Sequence, residues 1–326
     1  MSVVVVDVNS DNKPDIVVAN YGSNNTGVLL NTGNGIFSAQ TIYLVGYQPY
    51  SVAVVDVNSD NKSDIIVTNQ LSNTVSVLLN AGNGTFNAQT TYSVDAYPMS
   101  VAVVDVNSDN KPDIVVGNYL TNTVGVLLNA GNGTFSAQTT YAVISHTMSV
   151  TVVDVNSDNK PDIVAANYGS TTVSVLLNAG NGTFNAQTTY SVGTGPYSIA
   201  VVDVNSDSKP DIVVANRNSN NVGVLFNTGN GTFNAQTTYG VGAAPEAVAV
   251  VDVNSDNKPD IVVANYISNT VSVLLNTGNG IFSAATNYTV GSAPISLAVV
   301  DVNSDNKPDI VIANSNSNTV SVLLHC

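Results

Sequence analysis

Short apolar runs separated by polar turns recur along the whole chain. In Ser51–Met99, SVAVVDVNSDNKSDIIVTNQLSNTVSVLLNAGNGTFNAQTTYSVDAYPM, four β-type runs stand out: SVAVVDV, DIIVTN, TVSVLLN and TFNAQTTYSV. Their apolar positions are nearly continuous instead of alternating, as expected for strands covered on both faces, and no segment carries useful helical periodicity. An acidic loop separates the first two runs and a polar turn the next two. AGNGT separates the last two, and its Asn83-Gly84 pair suits the positive φ angles of a tight hairpin.

The acidic loop, DVNSDNKPD at Asp7–Asp15, fixes the period. Its first aspartate returns as Asp56, Asp105, Asp154, Asp203, Asp252 and Asp301, every step being 49 residues. Self-similarity at this interval signals a repeat architecture. The pattern predicts an all-β fold: a seven-bladed β-propeller of four antiparallel strands per blade, one domain over residues 1–326. Its units begin near residues 2, 51, 100, 149, 198, 247 and 296. A linear solenoid is the competing architecture, but solenoid coils are usually shorter and lack an internal meander. The fourth run recurs only six times, with its tyrosine at Tyr43, Tyr92, Tyr141, Tyr190, Tyr239 and Tyr288. The last blade is therefore expected to lack its outer strand, leaving an edge of the kind proteins normally cover. Either the chain is a fragment, or another chain covers that edge. Cys326 beside it reads as a plain chain end or as the partner in an intermolecular disulfide.

Charge sharpens the picture. Net charge is −15, with 23 acidic and 8 basic residues. All but Asp95 and Glu246 of the acids, and all but Arg217 of the bases, lie in the seven loops. The acidity is thus concentrated where a divalent cation would offset it, and so few scattered basic residues argue against a nucleic-acid surface. The start, MSVVVVDV, shows no signal peptide, and no apolar run is long enough to span a bilayer.

Side-chain oxygens fall at loop positions 1, 3, 5 and 9, and position 7 offers a backbone carbonyl, as in an EF-hand calcium loop. Position 1 is the aspartate series above. Position 3 is Asn9, Asn58, Asn107, Asn156, Asn205, Asn254 and Asn303; position 5 is Asp11, Asp60, Asp109, Asp158, Asp207, Asp256 and Asp305. Position 7 is Lys13, Lys62, Lys111, Lys160, Lys209, Lys258 and Lys307, by its carbonyl; position 9 is Asp15, Asp64, Asp113, Asp162, Asp211, Asp260 and Asp309. The loop departs from an EF-hand in having Val18 at position 12, Asn12 at position 6 and strands as flanks. The alternative, an acidic turn with Asx caps and no metal, leaves three close carboxylates repelling one another. Calcium, about one per blade and up to seven, suits the flexible oxygen arc better than magnesium.

The pattern DxNxDNKPDIVVANY…TVSVLLNxGNGTF…Y resembles the FG-GAP or VCBS repeat known from integrin α-subunit propellers, bacterial surface proteins and a mushroom lectin. The resemblance covers essentially the whole chain. It implies a seven-bladed propeller with calcium in the loop between the first and second strands, where position 9 closes the coordination.

Function is sought where the copies differ. Successive turns of an up-and-down blade alternate between its ends, so the acidic turn and the GNG hairpin share one face and the two variable segments share the other. That second face gathers Tyr21, Tyr47, Tyr50, Gln70, Tyr97, Tyr119, His146, Tyr168, Tyr197, Arg217, Glu246 and Tyr266. Aromatic plates beside amides and hydroxyls are what sugar recognition uses. Drift in unconstrained loops and packing between blades are the competing accounts, and the strand tyrosines read as core.

A catalytic constellation is hard to assemble. Asp95 and Glu246 lie three repeats apart, too far for a glycosidase pair; His146 has no acidic partner in its own loop; and Cys326 beside His325 lacks an orienting third group. The expectation is a non-catalytic, calcium-stabilised extracellular or cell-surface module that binds glycan or a cell-surface protein. The alternative is a structural or assembly unit, or a symmetric scaffold without a ligand, self-associating through the open edge of the last blade.

Overall fold

A computed structural model describes residues 2–325. Met1 and Cys326 lie outside the described residues, and with Cys326 its reading as a plain chain end or a partner in an intermolecular disulfide. Seven antiparallel sheets succeed one another along the chain, six of four strands and the last of three. In the second blade the strands are Pro49–Val55, Asp64–Asn69, Thr74–Leu78 and Thr90–Ser93, hydrogen-bonded in that order from the inside outward. The seventh has Pro294–Val300, Asp309–Asn314 and Thr319–Leu323.

Burial explains the continuous apolar runs. Every residue of Asp64–Asn69 is buried, because both faces of its sheet meet a neighbouring blade. One apolar cluster joins Val8, Val17, Val28 and Val45 of the first blade to Val52, Ile65, Leu78 and Phe86 of the second. Each such side chain contributes about 1.5–3 kcal/mol by leaving water. The last seam has its own cluster, Val3, Ile16, Val18, Val302, Val311 and Ala313, which closes the ring between the seventh and first blades. The inner strands are only half-buried, since they line the axis.

One expectation needs correcting. The run TFNAQTTYSV is not a single strand. Thr85–Phe86 pairs back on Asn80–Gly82 in a separate small hairpin, and only Thr90–Ser93 joins the blade. The tight turn between Asn80–Gly82 and Thr85–Phe86 has Asn83 at φ 53° and Gly84 at φ 72°, both left-handed as expected of an Asn-Gly turn. Its geometry sends the chain away from the sheet, and the Asn87 amide bonds the Leu79 carbonyl before the outer strand begins.

Candidate functional site

The acidic loops form one face. In the first copy, Asp7 Oδ1 accepts the amides of Asn9, Ser10 and Asp11, and Oδ2 accepts Asn12 N at 2.7 Å. Asn9 Oδ1 accepts Asp11 N, and Asp11 Oδ1 accepts Lys13 N. These bonds hold two left-handed residues, Ser10 and Asn12, both at φ 63°. The position-6 asparagine thus does what glycine does in an EF-hand, as does Ser208 at φ 66°. The left-handed serine two residues before it, at loop position 4, gave no sign of itself in the sequence.

Position 9 is different in kind. Asp15 and its six equivalents are fully buried. Asp15 Oδ2 accepts Val8 N at 2.9 Å and Oδ1 accepts Asn31 N at 2.7 Å. Burial pushes the carboxyls of Asp15, Asp113 and Asp260 up, and those of Asp64, Asp162 and Asp211 to about 6; amide hydrogen bonds oppose this, and the like charges at positions 1 and 5 add to it. The donor set therefore fits a hard divalent cation: buried and half-exposed carboxylate oxygens, repelling one another, each with lone pairs beyond its amide bonds. Among the described residues no three carboxylates converge into a ready-formed metal cluster. In six copies the loop lysine meets the position-5 carboxylate instead, as Lys13 Nζ does Asp11 Oδ2 at 3.2 Å. Such exposed pairs contribute about 0–1 kcal/mol.

The hairpin asparagine was not singled out from the sequence. Asn80 Nδ2 donates to the carbonyls of Ser63 in its own blade and Val8 in the preceding one, both at 2.9 Å. Asn31 does the same to Pro14 and Val302, tying the first blade to the seventh. Its recurrence in every NxGNG was the available signal; the seventh copy has His325 there.

The opposite face carries the variable residues, and their order follows from the repeat. The second residue of six inner strands stands at the axis: Tyr50, Met99, Met148, Tyr197, Glu246 and Ile295. Tyr50 and Tyr197 hydroxyls meet at 2.6 Å, joining blades three repeats apart. Below them lies a vestibule of about 120 Å³ with serines at Ser51, Ser100, Ser149 and Ser198. A second ring, at the ends of the second strands, packs onto the first across four of the seams. Tyr21 meets Tyr50 edge-on at 6.3 Å, Tyr168 meets Tyr197 at 5.8 Å, and Gln70 Nε2 reaches Met99 Sδ at 3.2 Å. Arg217 Nε bonds Glu246 Oε1 at 2.7 Å, and its guanidinium lies 5.8 Å from both the Tyr197 and Tyr266 rings. Burial pushes the Glu246 carboxyl up, and Arg217 pulls it partly back.

The linkers complete the crown. Gln48, Tyr97 and His146 occupy equivalent left-handed positions, φ 53°, 60° and 44°, where the remaining linkers have Gly195, Ala244 and Ala293. Bulky side chains in this conformation are uncommon and mark positions of interest. Three adjacent linkers thus raise a wall of amide, phenol and imidazole on one side of the mouth. Tyr21 Oη lies 2.6 Å from Gln48 Oε1 and 2.9 Å from Gln70 Oε1, and Tyr119 stacks on His146 at 4.4 Å. Tyr47 alone among the candidates projects into solvent, at 66% exposure. Leu71, Leu120, Ile144 and Ile267 are exposed on the same face. Asp95 accepts a bond from Thr123 Oγ1 at 2.9 Å and serves as a linker cap. The strand tyrosines instead pack against the phenylalanine of the next blade, as Tyr43 does against Phe86 at 5.4 Å.

Comparisons with known proteins agree with this architecture. The propeller is similar to a lectin from Agrocybe aegerita described as specifically recognising non-reducing terminal N-acetylglucosamine, at 20% identity and TM-score 0.63 over 88% of this chain and 79% of that one. It is similar to BBS1N, solved in complex with ARL6DN, at 12% identity and TM-score 0.68 over 99% and 91%. It is similar also to virginiamycin B lyase from Staphylococcus aureus, at 13% identity and TM-score 0.68 over 99% and 94%. At these identities the likeness is one of fold. Among curated proteins none matches this chain. The FG-GAP-like repeat matches six overlapping stretches, residues 7–67, 56–116, 105–165, 154–214, 203–263 and 252–312, and the chain belongs to that repeat family.

Proposed function

We propose that this protein is a non-catalytic recognition module whose acidic face binds calcium for stability and whose tyrosine crown binds a glycan. The crown carries the reading: two concentric rings of aromatic and polar side chains at one mouth of the axis, with a wall at Gln48, Tyr97 and His146. A pyranose presents an apolar face and a rim of hydroxyls, and this mixture of rings, amides and imidazole matches both. Because the crown is one composite site around an axis, its chemistry need not repeat in every blade.

The carboxylates of this face are engaged elsewhere, Glu246 by Arg217 and Asp95 by Thr123, which supports binding over hydrolysis. Calcium would be held by positions 1, 3, 5 and 9 and the position-7 carbonyl, and would supply positive charge beside the buried aspartates. Loops of this kind fill where calcium is millimolar, which favours an extracellular setting. The likeness to a propeller lectin supports the ligand class. Calorimetry with an N-acetylglucosamine-terminated oligosaccharide, against a glucose-terminated control in millimolar calcium, tests it. Saturable one-to-one binding supports the reading, and no heat with either sugar counts against it.

A further inference from the structure

The hairpin turns of the acidic face carry a second pattern besides the strand repeat. Asn-x-Ser/Thr, the acceptor triplet for N-linked oligosaccharides, occurs seven times, at Asn24, Asn61, Asn83, Asn132, Asn181, Asn230 and Asn287. Four of these, Asn83, Asn132, Asn181 and Asn230, open the Asn-Gly-Thr turns of the second to fifth blades. The turns of the first and sixth blades read Asn34-Gly35-Ile36 and Asn279-Gly280-Ile281, and lack the triplet.

The fold separates the seven. Asn24 Oδ1 accepts the Gln48 amide, and Thr26 is fully buried with its hydroxyl on the Val18 carbonyl. Asn287 Oδ1 accepts the Ser272 hydroxyl at 2.6 Å. Asn61 has the serine form of the triplet and lies inside an acidic loop, its backbone amide bonded to Asp56. The four turn asparagines differ from these. Each is exposed at the tip of its hairpin at φ 52–54°, and among the described residues its side-chain amide makes no hydrogen bond. Attachment there disturbs nothing that holds the fold.

Turn geometry does not account for the threonine. Thr85 Oγ1 donates to the Gly82 carbonyl at 2.7 Å, yet the Ile36 and Ile281 hairpins keep the same register without that hydroxyl. An acceptor triplet does account for it, since the hydroxyl at its third position is what the transfer requires.

We propose that Asn83, Asn132, Asn181 and Asn230 are N-glycosylation sites. The donor is an oligosaccharide carried on a lipid diphosphate. The asparagine Nδ2 bonds to the anomeric carbon and gives up one proton, the bond from that carbon to the diphosphate oxygen breaks, and the lipid diphosphate leaves. Each of these hairpins abuts the acidic loop of the preceding blade: a Cβ built on Gly84 would lie 3.3 Å from the Asn9 Cβ, and Gly133, Gly182 and Gly231 stand likewise over Asn58, Asn107 and Asn156. The four oligosaccharides therefore fringe the acidic loops of the first four blades and leave the crown bare. The inference rests on the extracellular setting proposed above, and not on the crown's binding a sugar.

The test is the full chain, directed through the secretory route of a eukaryotic cell by a cleavable signal and recovered folded. Peptide mapping after peptide-N-glycosidase in heavy-oxygen water marks each occupied asparagine as labelled aspartate, which distinguishes it from spontaneous deamidation at Asn-Gly. Label is expected at Asn83, Asn132, Asn181 and Asn230, and none at Asn34 or Asn279. Ile36→Thr and Ile281→Thr, at side chains already exposed, should each add one oligosaccharide. Thr85→Ile, Thr134→Ile, Thr183→Ile and Thr232→Ile should each remove one and leave the circular dichroism spectrum unchanged. Should a variant not be secreted, translation with microsomes counts the same additions by mobility shift. Unmodified turn asparagines in the folded wild type, or oligosaccharides confined to Asn24, Asn61 or Asn287, overturn the proposal. Occupied turns with a blank glycan array would fail the crown reading alone, and bare turns with glycan binding would fail this one alone.

Discussion

Tyr50 and Tyr197 stand 147 residues apart in sequence, yet their hydroxyls meet at 2.6 Å at the axis. Burial holds both phenols well above the ordinary tyrosine range, with the nearby Glu246 charge adding to the effect. A phenol raised in the folded state contributes stability that is fully present below the unfolded value, about pH 10, and lost as pH rises above it. Wild-type stability should therefore fall more steeply above pH 10 than that of a Tyr50→Phe/Tyr197→Phe variant, as read by denaturant unfolding at stepped pH. Tyr197→Phe alone strands the Tyr50 hydroxyl and should cost about 1–3 kcal/mol at neutral pH. A single variant as stable as wild type would show that the bridge contributes nothing.

Arg217 and Glu246 are unequal partners. Glu246 is buried and Arg217 is a quarter exposed, so removing the arginine strands the more deeply buried charge. Arg217→Ala should be the more damaging change, by about 1–3 kcal/mol over Glu246→Gln in urea unfolding. Without Arg217 the carboxyl rises further. Because a raised carboxyl costs least when protonated, the deficit should shrink as pH falls toward the free glutamate value of about 4.3. A deficit that is constant between neutral pH and pH 5 would contradict this.

The hairpin asparagines act between blades. Asn80→Ala and Asn31→Ala each remove two donors to buried carbonyls and should each cost about 1–3 kcal/mol. Hydrogen exchange distinguishes them. Loss of Asn31 should deprotect Val3–Val6 and Asp309–Asn314, at the seam it bridges, while loss of Asn80 should act between the first two blades. Identical exchange maps would refute a staple role.

Calcium should matter to the fold. A chelator should lower the unfolding temperature, and each filled loop should stabilise by about 2.7 kcal/mol when calcium is 100-fold above its dissociation constant. Asp11→Asn keeps the acceptor for the Lys13 amide and removes one charge, so it should lower the calcium stoichiometry by one while leaving the other loops unchanged. An unfolding temperature unmoved by chelator and calcium would argue for self-capped turns.

Much of this fold was legible because every level of the sequence repeats. The 49-residue step gave the blade count, the Asn-Gly pair gave the hairpin, and continuous apolar runs gave two-faced burial. The split of TFNAQTTYSV was hidden, because Phe86 and Tyr92 look like one β-rich run until the turn separates them. The variable-face residues were legible as a set, since turns must alternate between blade ends. Their pairing was not: Tyr50 meeting Tyr197, and Arg217 meeting Glu246, depend on how the ring closes around its axis. Seam contacts such as Asn80 to Val8 span 72 residues and leave no local mark.

The account stands on the crown as a binding surface. The most direct measurement is a glycan array probed with calcium-loaded wild-type protein beside a Tyr97→Ala/His146→Gly variant, both verified as folded. The account predicts saturable binding of the wild type to one class of glycan, and its loss in the variant with calcium stoichiometry and unfolding temperature retained. A blank array for folded, calcium-loaded wild type, or binding that survives in the variant, would contradict it.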